Sequence, residues 1–411
     1  MGDWKKGCLH FHTIWSDGRS LPEIALHTLK NVLKYDFAVI TDHNIFPAGE
    51  LDFPVTAEYD TWPPLFSGKE LERSQQILPD SIVTRQLGIR KFVRLKSFDT
   101  LKKEWDSQGE FLLLGGCENS AGHLGDSYHE FHLNLLNCRR TVTPAEYGNT
   151  PAETLRKNVR KSLAAAAEED REVLLMLNHP FWRYWDIDPR WVLDNPEFQL
   201  LEICNNTHGM EVHAEKAVNS PEKYWDFILS HRIIRGEKTI YGTATDDAHF
   251  YDPEHIHNYC GCNHGWVMVN CPGEMTEEKL ISALKAGDFY ATCGVEFEKI
   301  HFDRRTRTLS VALKALPGTK YQIRFIVTRR NFSRKLETFT YQDKNPLYNR
   351  EIPVIDDSFG QCVKSVDGIE ASCTMDEDDL YIRAEAVSDT PGELQDIFYP
   401  STLKAWTQPF F

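Results

Sequence analysis

Histidine and carboxylate residues recur in closely spaced pairs at two distant points of the chain. His10 and His12 are two residues apart, and so are Asp247 and His249. Residues i and i+2 of a β-strand point to the same face, so each pair would present both side chains to one side. Imidazole nitrogens and carboxylate oxygens are ligands that suit Zn²⁺, Mn²⁺ or Fe²⁺. The two pairs therefore indicate metal binding.

Four more residues of ligand type lie near the ends of other apolar segments, namely His43, Glu118, His132 and His179. One histidine at a strand end is more often a hydrogen-bonded structural residue, but eight such residues in this arrangement are hard to obtain by chance. Eight ligands also exceed the needs of one ion. The sequence therefore predicts two or three divalent ions of manganese, zinc or iron, with Glu118 as a bridging carboxylate.

The segments that must position these residues are short apolar runs that end in polar residues. Residues 37–40 precede His43, and residues 173–177 precede His179. Such runs are typical of strands buried on both faces of a parallel sheet. Helical patterns lie between many of the runs, and strand–helix alternation is typical of an α/β fold. Polar residues at the carboxyl ends of seven strands predict a seven-stranded barrel with the site at its mouth. A doubly wound open sheet is the alternative.

Several helices have predictable ends. Residues with capping side chains, Thr150, Ser220 and Thr276, precede helical patterns, and Gly287 follows the last of these. A further helix is predicted from about Lys91 to Asp106. Residues 46–90 interrupt the pattern and are interpreted as an insertion or lid within a barrel domain of residues 1–295. Residues 296–411 alternate like half-buried strands and predict a small β-sandwich-like domain.

The composition excludes several classes of protein. Of the 411 residues, 41% are hydrophobic, and the formal net charge of −15 opposes binding to nucleic acid or to an anionic membrane. No apolar stretch approaches the ~20 residues of a membrane span. The first residues lack the apolar segment of a secretory signal, and ten cysteines then indicate reduced thiols. We therefore expect a cytoplasmic protein, whose oligomeric state stays open.

Five motifs resemble, in the same order, those of the PHP (polymerase and histidinol phosphatase) family. They are Leu9-His10-Phe11-His12-Thr13-Ile14-Trp15-Ser16-Asp17-Gly18, Ile40-Thr41-Asp42-His43-Asn44, Gly116-Cys117-Glu118, Asn178-His179-Pro180 and Thr245-Asp246-Asp247-Ala248-His249. The first and the last motifs are specific, and the resemblance covers residues 1 to about 295. Residues 265–269 and 287–294 also resemble segments of PHP proteins that carry a C-terminal β extension.

The resemblance implies a distorted (β/α)7 barrel with a di- or trinuclear site that is used for phosphoester hydrolysis. The ligands that it implies are His10, His12, Asp17, His43, Glu118, His132, His179, Asp247 and His249. We expect Asp17, Glu118 and Asp247 to act in catalysis. Two of these assignments have alternatives. Asp17 also fits a turn before Gly18, and His129 competes with His132.

Arginine residues near two of the motifs are candidates for contacts to a phosphate group. Arg19 follows the first motif, and Arg183 follows His179 by four residues. Guanidinium groups match phosphate geometry, although a solvated surface arginine is the alternative interpretation of each. Asp246 or His208 is a candidate for the acid that protonates the leaving group.

The predicted function is metal-dependent hydrolysis of a small anionic phosphomonoester. Two cations about 3.5–4 Å apart would acidify a bridging water, and the resulting hydroxide would attack phosphorus. A metal hydroxide is not selective for phosphorus, so a carboxyl- or carbamoyl-ester hydrolase is an alternative. A non-catalytic metal- or ligand-binding protein is another. The net charge and the lack of a basic stripe weigh against a proofreading nuclease.

Overall fold

The computed structural model describes residues 2–56, 66–181, 187–205, 219–251, 260–392 and 401–411. The helices are α1 (Pro22–His27), α2 (Gly68–Ile77), α3 (Phe98–Trp105), α4 (Pro151–Ala167), α5 (Pro189–Leu193), α6 (Pro221–Arg235) and α7 (Glu277–Ala286). The strands are β1 (Trp4–Cys8), β2 (Phe37–Val39), β3 (Leu51–Pro54), β4 (Thr84–Leu87), β5 (Arg90–Leu95), β6 (Leu112–Leu114), β7 (Gly116–Leu124), β8 (Tyr128–Leu136), β9 (Leu174–Leu177), β10 (Leu200–Asn205), β11 (Tyr241–Thr245), β12 (Trp266–Asn270), β13 (Phe289–Thr292), β14 (Phe297–Asp303), β15 (Thr308–Leu313), β16 (Tyr321–Arg329), β17 (Glu337–Tyr341), β18 (Arg350–Val354), β19 (Gln361–Asp367), β20 (Glu370–Thr374), β21 (Asp379–Pro391) and β22 (Thr402–Thr407). Among the described residues, no helix has the length and apolarity needed to cross a membrane.

The strands form large mixed and antiparallel sheets, so the prediction of a seven-unit (β/α)7 barrel is wrong. A nine-stranded sheet has the order β19-β16-β21-β22-β13-β12-β1-β2-β6, and a five-stranded sheet has the order β11-β10-β9-β8-β7. Parallel pairing joins β1 to β2 and β2 to β6 in the first sheet, and β9 to β10 and β10 to β11 in the second. The remaining pairs in these two sheets are antiparallel. This mixture also excludes the doubly wound parallel sheet.

The error has a physical cause, which the β7–β8 hairpin illustrates. A continuous apolar run indicates a strand that is buried on both faces, but it does not record the direction of that strand. Strand β8 follows β7 after three residues and pairs with it antiparallel along its whole length, from Gly116↔Leu136 to Leu124↔Tyr128. A parallel crossover needs a dozen or more residues. The apolar residues therefore predict the strand correctly and its direction wrongly.

The predicted helix ends are largely confirmed. The side chains of Thr150, Ser220 and Thr276 each accept a hydrogen bond from a backbone N–H in the first turn of α4, α6 and α7. Gly287 adopts the left-handed conformation that ends α7. The helix predicted from about Lys91 begins only at Phe98, because residues 90–95 form β5.

The predicted insertion at residues 46–90 contains regular structure. Strands β3 and β4 pair on either side of β5 to form a small antiparallel sheet. Helix α2 begins at Ser67, whose hydroxyl accepts a hydrogen bond from the Glu70 N–H (3.2 Å). The Glu70 carboxylate in turn accepts one from the Ser67 N–H (2.6 Å). This reciprocal capping box satisfies two backbone donors and stabilises the start of α2.

The C-terminal residues form the predicted strands, but they do not form a separate sandwich. Strands β14, β15 and β20 make one sheet, and β17 pairs with β18. Strands β16, β19, β21 and β22 instead extend the nine-stranded sheet, because β22 pairs with β13 from Tyr290↔Thr407 to Thr292↔Ala405. The same sheet therefore joins the N-terminal strands to the C-terminal ones.

Backbone contacts bring the two large sheets together beyond the ends of β1, β2 and β11 and near the start of β7. Phe11 forms a parallel bridge with Ala248, and His43 forms one with Glu118. The His12 N–H donates to the Ala248 carbonyl (2.8 Å), and the Glu118 N–H donates to the Asp42 carbonyl (3.2 Å). Segments that carry four of the predicted motifs are thus held side by side, although the barrel that was predicted to position them does not form.

Candidate metal centre

The predicted ligand residues converge in three overlapping groups. In each group, one ligand atom from every residue lies within 4.8 Å of the others. The groups are His10, His12 and Asp247; His12, Asp17, His43 and His249; and His43, Glu118 and His132. His12 and His43 each belong to two groups. The arrangement is therefore one continuous cluster with room for more than one ion.

All three residues of the first group are buried. Asp247 Oδ1 is 3.1 Å from His10 Nε2 and 2.9 Å from His12 Nε2. The two ring nitrogens are themselves 3.1 Å apart. His179 borders this group, with its Nε2 3.6 Å from Asp247 Oδ2. Four predicted ligands from three separate motifs thus surround one small volume.

The second group is centred on Asp17. Its Oδ1 lies 3.3 Å from His249 Nε2, 3.5 Å from His43 Nε2 and 3.9 Å from His12 Nδ1. These contacts place Asp17 within the cluster, although its carboxylate remains partly exposed. A turn residue alone would not require three imidazole rings around its carboxylate.

Glu118 occupies the centre of the third group. Its Oε2 is 2.5 Å from His43 Nδ1 and 3.5 Å from His12 Nε2, and its Oε1 is 3.3 Å from both His10 Nε2 and His132 Nδ1. The Asn178 amide donates a hydrogen bond to Oε1 (2.6 Å). Oε2 is buried and accepts no hydrogen bond of good geometry within the described part of the chain. A buried carboxylate oxygen in this state is placed for a cation.

Hydrogen bonds assign the protons of two rings and test whether a metal fits. The Nδ1 of His10 donates to the Glu202 carboxylate (2.7 Å), and the Nδ1 of His249 donates to the Asp247 carbonyl (2.8 Å). The Nε2 atoms of these two rings face the carboxylates of Asp247 and Asp17, so they are the nitrogens that a metal ion would bind. Ligand atoms about 2.0–2.2 Å from a tetrahedral ion lie roughly 3.4 Å from one another. The separations in the cluster agree with this value, so the residues present fit divalent metal ions.

Burial and neighbouring charges act in opposition on the ionisable groups of the cluster. Burial favours the neutral carboxylic acids, but the charges of the surrounding histidines hold the pKa of Glu118 and Asp247 well below the usual range. Burial disfavours charged imidazoles, yet the same carboxylates raise the pKa of His10 and His43 well above the usual value. Burial lowers the pKa of His12 to about 3. Ionised carboxylates and a neutral His12 form a donor set that suits a divalent cation.

Backbone strain also marks the cluster. His179 and Asp247 both adopt positive φ values, 22° and 50°. Positive φ is uncommon for residues other than glycine, and such strain concentrates at functional sites. In the described structure, hydrogen bonds from the His179 N–H to Glu202 (2.8 Å) and from His249 Nδ1 to the Asp247 carbonyl (2.8 Å) help to maintain these conformations.

Glu202 was not predicted as a site residue. It is fully buried, and it accepts hydrogen bonds from His10, the His179 backbone, Asn205 and Thr245 at 2.7–2.8 Å. Metal-ligating histidines usually donate their second ring nitrogen to a partner of this kind. The available signal was a glutamate within the apolar run of β10, because glutamate is rarely buried without several partners.

The remaining predicted residues have distinct locations. His132 contacts Glu118, whereas His129 lies on the other face of β8, where its Nε2 is 2.8 Å from Ser127 Oγ and its ring packs against Trp191. The Asp246 carboxylate is buried and accepts backbone hydrogen bonds from residues 263–265, so its position is that of a structural residue. Arg183 and His208 lie outside the described residues.

Comparison with known proteins adds no assignment. A scan against protein-family models finds no match for this chain, and a search of curated proteins finds no relative.

Proposed function

We propose that this protein is a metal-dependent hydrolase of small phosphomonoesters, of the PHP type. One observation carries the proposal: ligand atoms of eight predicted residues from distant parts of the chain meet in three overlapping groups, with His179 beside them, at separations that suit metal coordination. The assignment to the PHP family rests on the sequence motifs and on this set of ligands.

The residues of the cluster would have different roles in such a reaction. Two or three bound ions of manganese, zinc or iron would supply an acidified water as the nucleophile and would neutralise charge on phosphoryl oxygens. Glu118 lies between the imidazoles of His10, His43 and His132 and would hold adjacent ions at a fixed spacing. Asp17 and His249 form the edge of the cluster at which solvent reaches a carboxylate, so this edge is where substrate would enter.

The test is metal content measured together with hydrolysis of an aryl phosphate and an aryl acetate, with and without added Mn²⁺. We expect two or three ions per chain and turnover of the phosphate. Glu118→Gln should lower that turnover by at least ~100-fold, because it removes the central carboxylate. Glu110→Gln, which changes an exposed glutamate, is the matched control.

Two results would contradict the proposal. Bound metals with acetate but no phosphate turnover would indicate the carboxyl-ester hydrolase. A chain that takes up none of Mn²⁺, Zn²⁺ or Fe²⁺ would reject the metal centre itself.

A further inference from the structure

A small cavity beside the metal centre has the chemistry of an anion site. Its volume is about 90 Å³, which gives room for a carboxylate or a phosphoryl group. Its lining includes the cationic side chains of Arg19 and Arg73, the hydroxyl residues Ser20 and Ser74, and the ring of Phe250. Arg73 and Ser74 belong to α2, so the segment of residues 46–90 supplies one wall.

Two residues that line the cavity, Arg19 and Phe250, lie one or two positions after predicted ligands of the metal centre. Arg19 follows Asp17 by two residues, which limits the distance between their Cα atoms to about 7 Å. Phe250 directly follows His249, and the Arg19 N–H donates a hydrogen bond to the His249 carbonyl (2.9 Å). In each of two chain segments, a predicted metal ligand is therefore followed, one or two residues later, by a residue that lines the cavity.

Among the residues that the structure describes, the guanidinium of Arg19 has no anionic partner. It lies over the Phe250 ring, 5.0 Å from the ring centroid, and its Nε is buried without a hydrogen bond in the described structure. Arg19 also forms no ion pair with any of the described residues. Stacking on an aromatic face leaves the N–H edge of a guanidinium available for an oxyanion. Buried donors are nearly always hydrogen-bonded, so this unsatisfied group indicates a ligand.

Besides Arg19, the charged residues of the lining are one basic and one acidic residue of α2, Arg73 and Glu70. Glu70 is the acidic residue of the lining, and its carboxylate accepts the Ser67 N–H at the start of α2. The Glu70 carboxylate is thus engaged by a backbone donor, whereas none of the described residues forms an ion pair with Arg19. The guanidinium of Arg19, in a chain of net charge −15, favours a specific anion over general attraction of polyanions.

We propose that this Arg19 cavity binds a second oxyanion of the substrate, so that the alcohol part of the phosphoester carries a carboxylate or phosphoryl group of its own. This inference rests on the proposed function, because the first phosphoryl group would lie at the metal centre. A guanidinium accepts both oxyanions in the same bidentate geometry.

The test uses non-hydrolysable ligands and the metal-loaded protein. Binding of methylphosphonate and of carboxyalkyl phosphonates with two to four methylenes is measured by calorimetry in the presence of Mn²⁺. We expect one carboxyalkyl length to bind at least about tenfold more tightly than methylphosphonate, as for a charge-assisted hydrogen bond. In Arg19→Met, which keeps an apolar side chain on Phe250, the advantage should disappear while methylphosphonate affinity stays the same.

Two controls separate the possible outcomes. Arg305→Met, at an exposed turn, should retain the advantage, and metal content should be equal in all three proteins. Equal binding of all phosphonates to the wild type, or an unchanged advantage in Arg19→Met, overturns the cavity proposal and leaves the proposed function standing. No binding of any phosphonate overturns both.

Discussion

At the scale of single residues, Glu202 explains how buried imidazoles are held in one orientation. Its Oε1 accepts hydrogen bonds from His10 Nδ1 and Thr245 Oγ1, and its Oε2 accepts from the His179 N–H and from Asn205 Nδ2. These four bonds satisfy a carboxylate that has no contact with solvent. They also fix the tautomer of His10, so that its Nε2 points toward Asp247. Glu202 is thus a positioning residue for two predicted ligands.

We expect Glu202→Gln to reduce metal affinity by about 10–100-fold, which is the usual cost of losing an outer-sphere partner. The amide keeps the shape of the side chain but removes the charge that favours donation by His10. Affinity is measured by competition with a chelator of known strength. Glu197→Gln changes an exposed glutamate near the start of the same strand and should have no effect. Equal affinities in wild type and Glu202→Gln would mean that His10 does not bind metal.

At the scale of elements, the segment after β1 is folded by contacts with the segment after β2. The Asp42 carboxylate accepts hydrogen bonds from the Thr13 N–H (2.8 Å), the Thr13 hydroxyl (2.9 Å) and the Ser16 hydroxyl (2.7 Å). Gly18 completes the turn, because a Cβ there would lie 2.6 Å from backbone atoms of His12 and Thr13. Asp42 therefore determines where Asp17 lies, although it is not a predicted ligand.

Removing the Asp42 carboxylate should abolish one of the metal-binding positions. We expect Asp42→Ala to bind one ion fewer per chain than wild type, because the group of His12, Asp17, His43 and His249 loses the fixed position of Asp17. Metal per chain is counted by mass spectrometry after dialysis. Asp99→Asn, at an exposed position in the first turn of α3, serves as the control. If Asp42→Ala retains the wild-type number of ions, Asp17 is not held in place by Asp42.

The elements also show what a sequence can and cannot predict. Features that depend on neighbouring residues were predicted correctly. Thr150 and Thr276 cap helices, and the alternation of apolar and polar residues predicts strands such as β15. Spacing brought His10 and His12 to one side because that depends on two residues of one chain segment. Sheet direction and partners depend on connections and distant surfaces, so the mixed sheets were missed. Glu202 was missed for a similar reason, since three of its four donors come from other segments of the chain.

At the scale of the whole molecule, a buried ion pair joins the C-terminal strands to the part of the chain that carries the site. The guanidinium of Arg383 on β21 donates two hydrogen bonds to Asp226 on α6 (2.9 and 2.7 Å), and the Tyr381 hydroxyl donates a third (2.6 Å). Both charged side chains are about 2% exposed. Helix α6 packs against β10, the strand of Glu202. The C-terminal strands thus support the scaffold of the metal centre.

The ion pair of Arg383 and Asp226 predicts that the part of the chain with the metal centre depends on the C-terminal strands for its stability. Arg383→Met leaves Asp226 buried without its cation, which typically costs 3–5 kcal/mol of unfolding free energy. Replacing both residues, in Asp226→Leu with Arg383→Met, removes the uncompensated charge and should recover most of that loss. Denaturant unfolding measures the free energy of unfolding of both variants.

Metal release followed during the same unfolding experiment tests whether the two parts of the chain unfold together. We expect one transition, in which metal is released as the C-terminal strands unfold, because the nine-stranded sheet is continuous through β13 and β22. Separate transitions would show that the C-terminal strands form an independent unit despite this pairing.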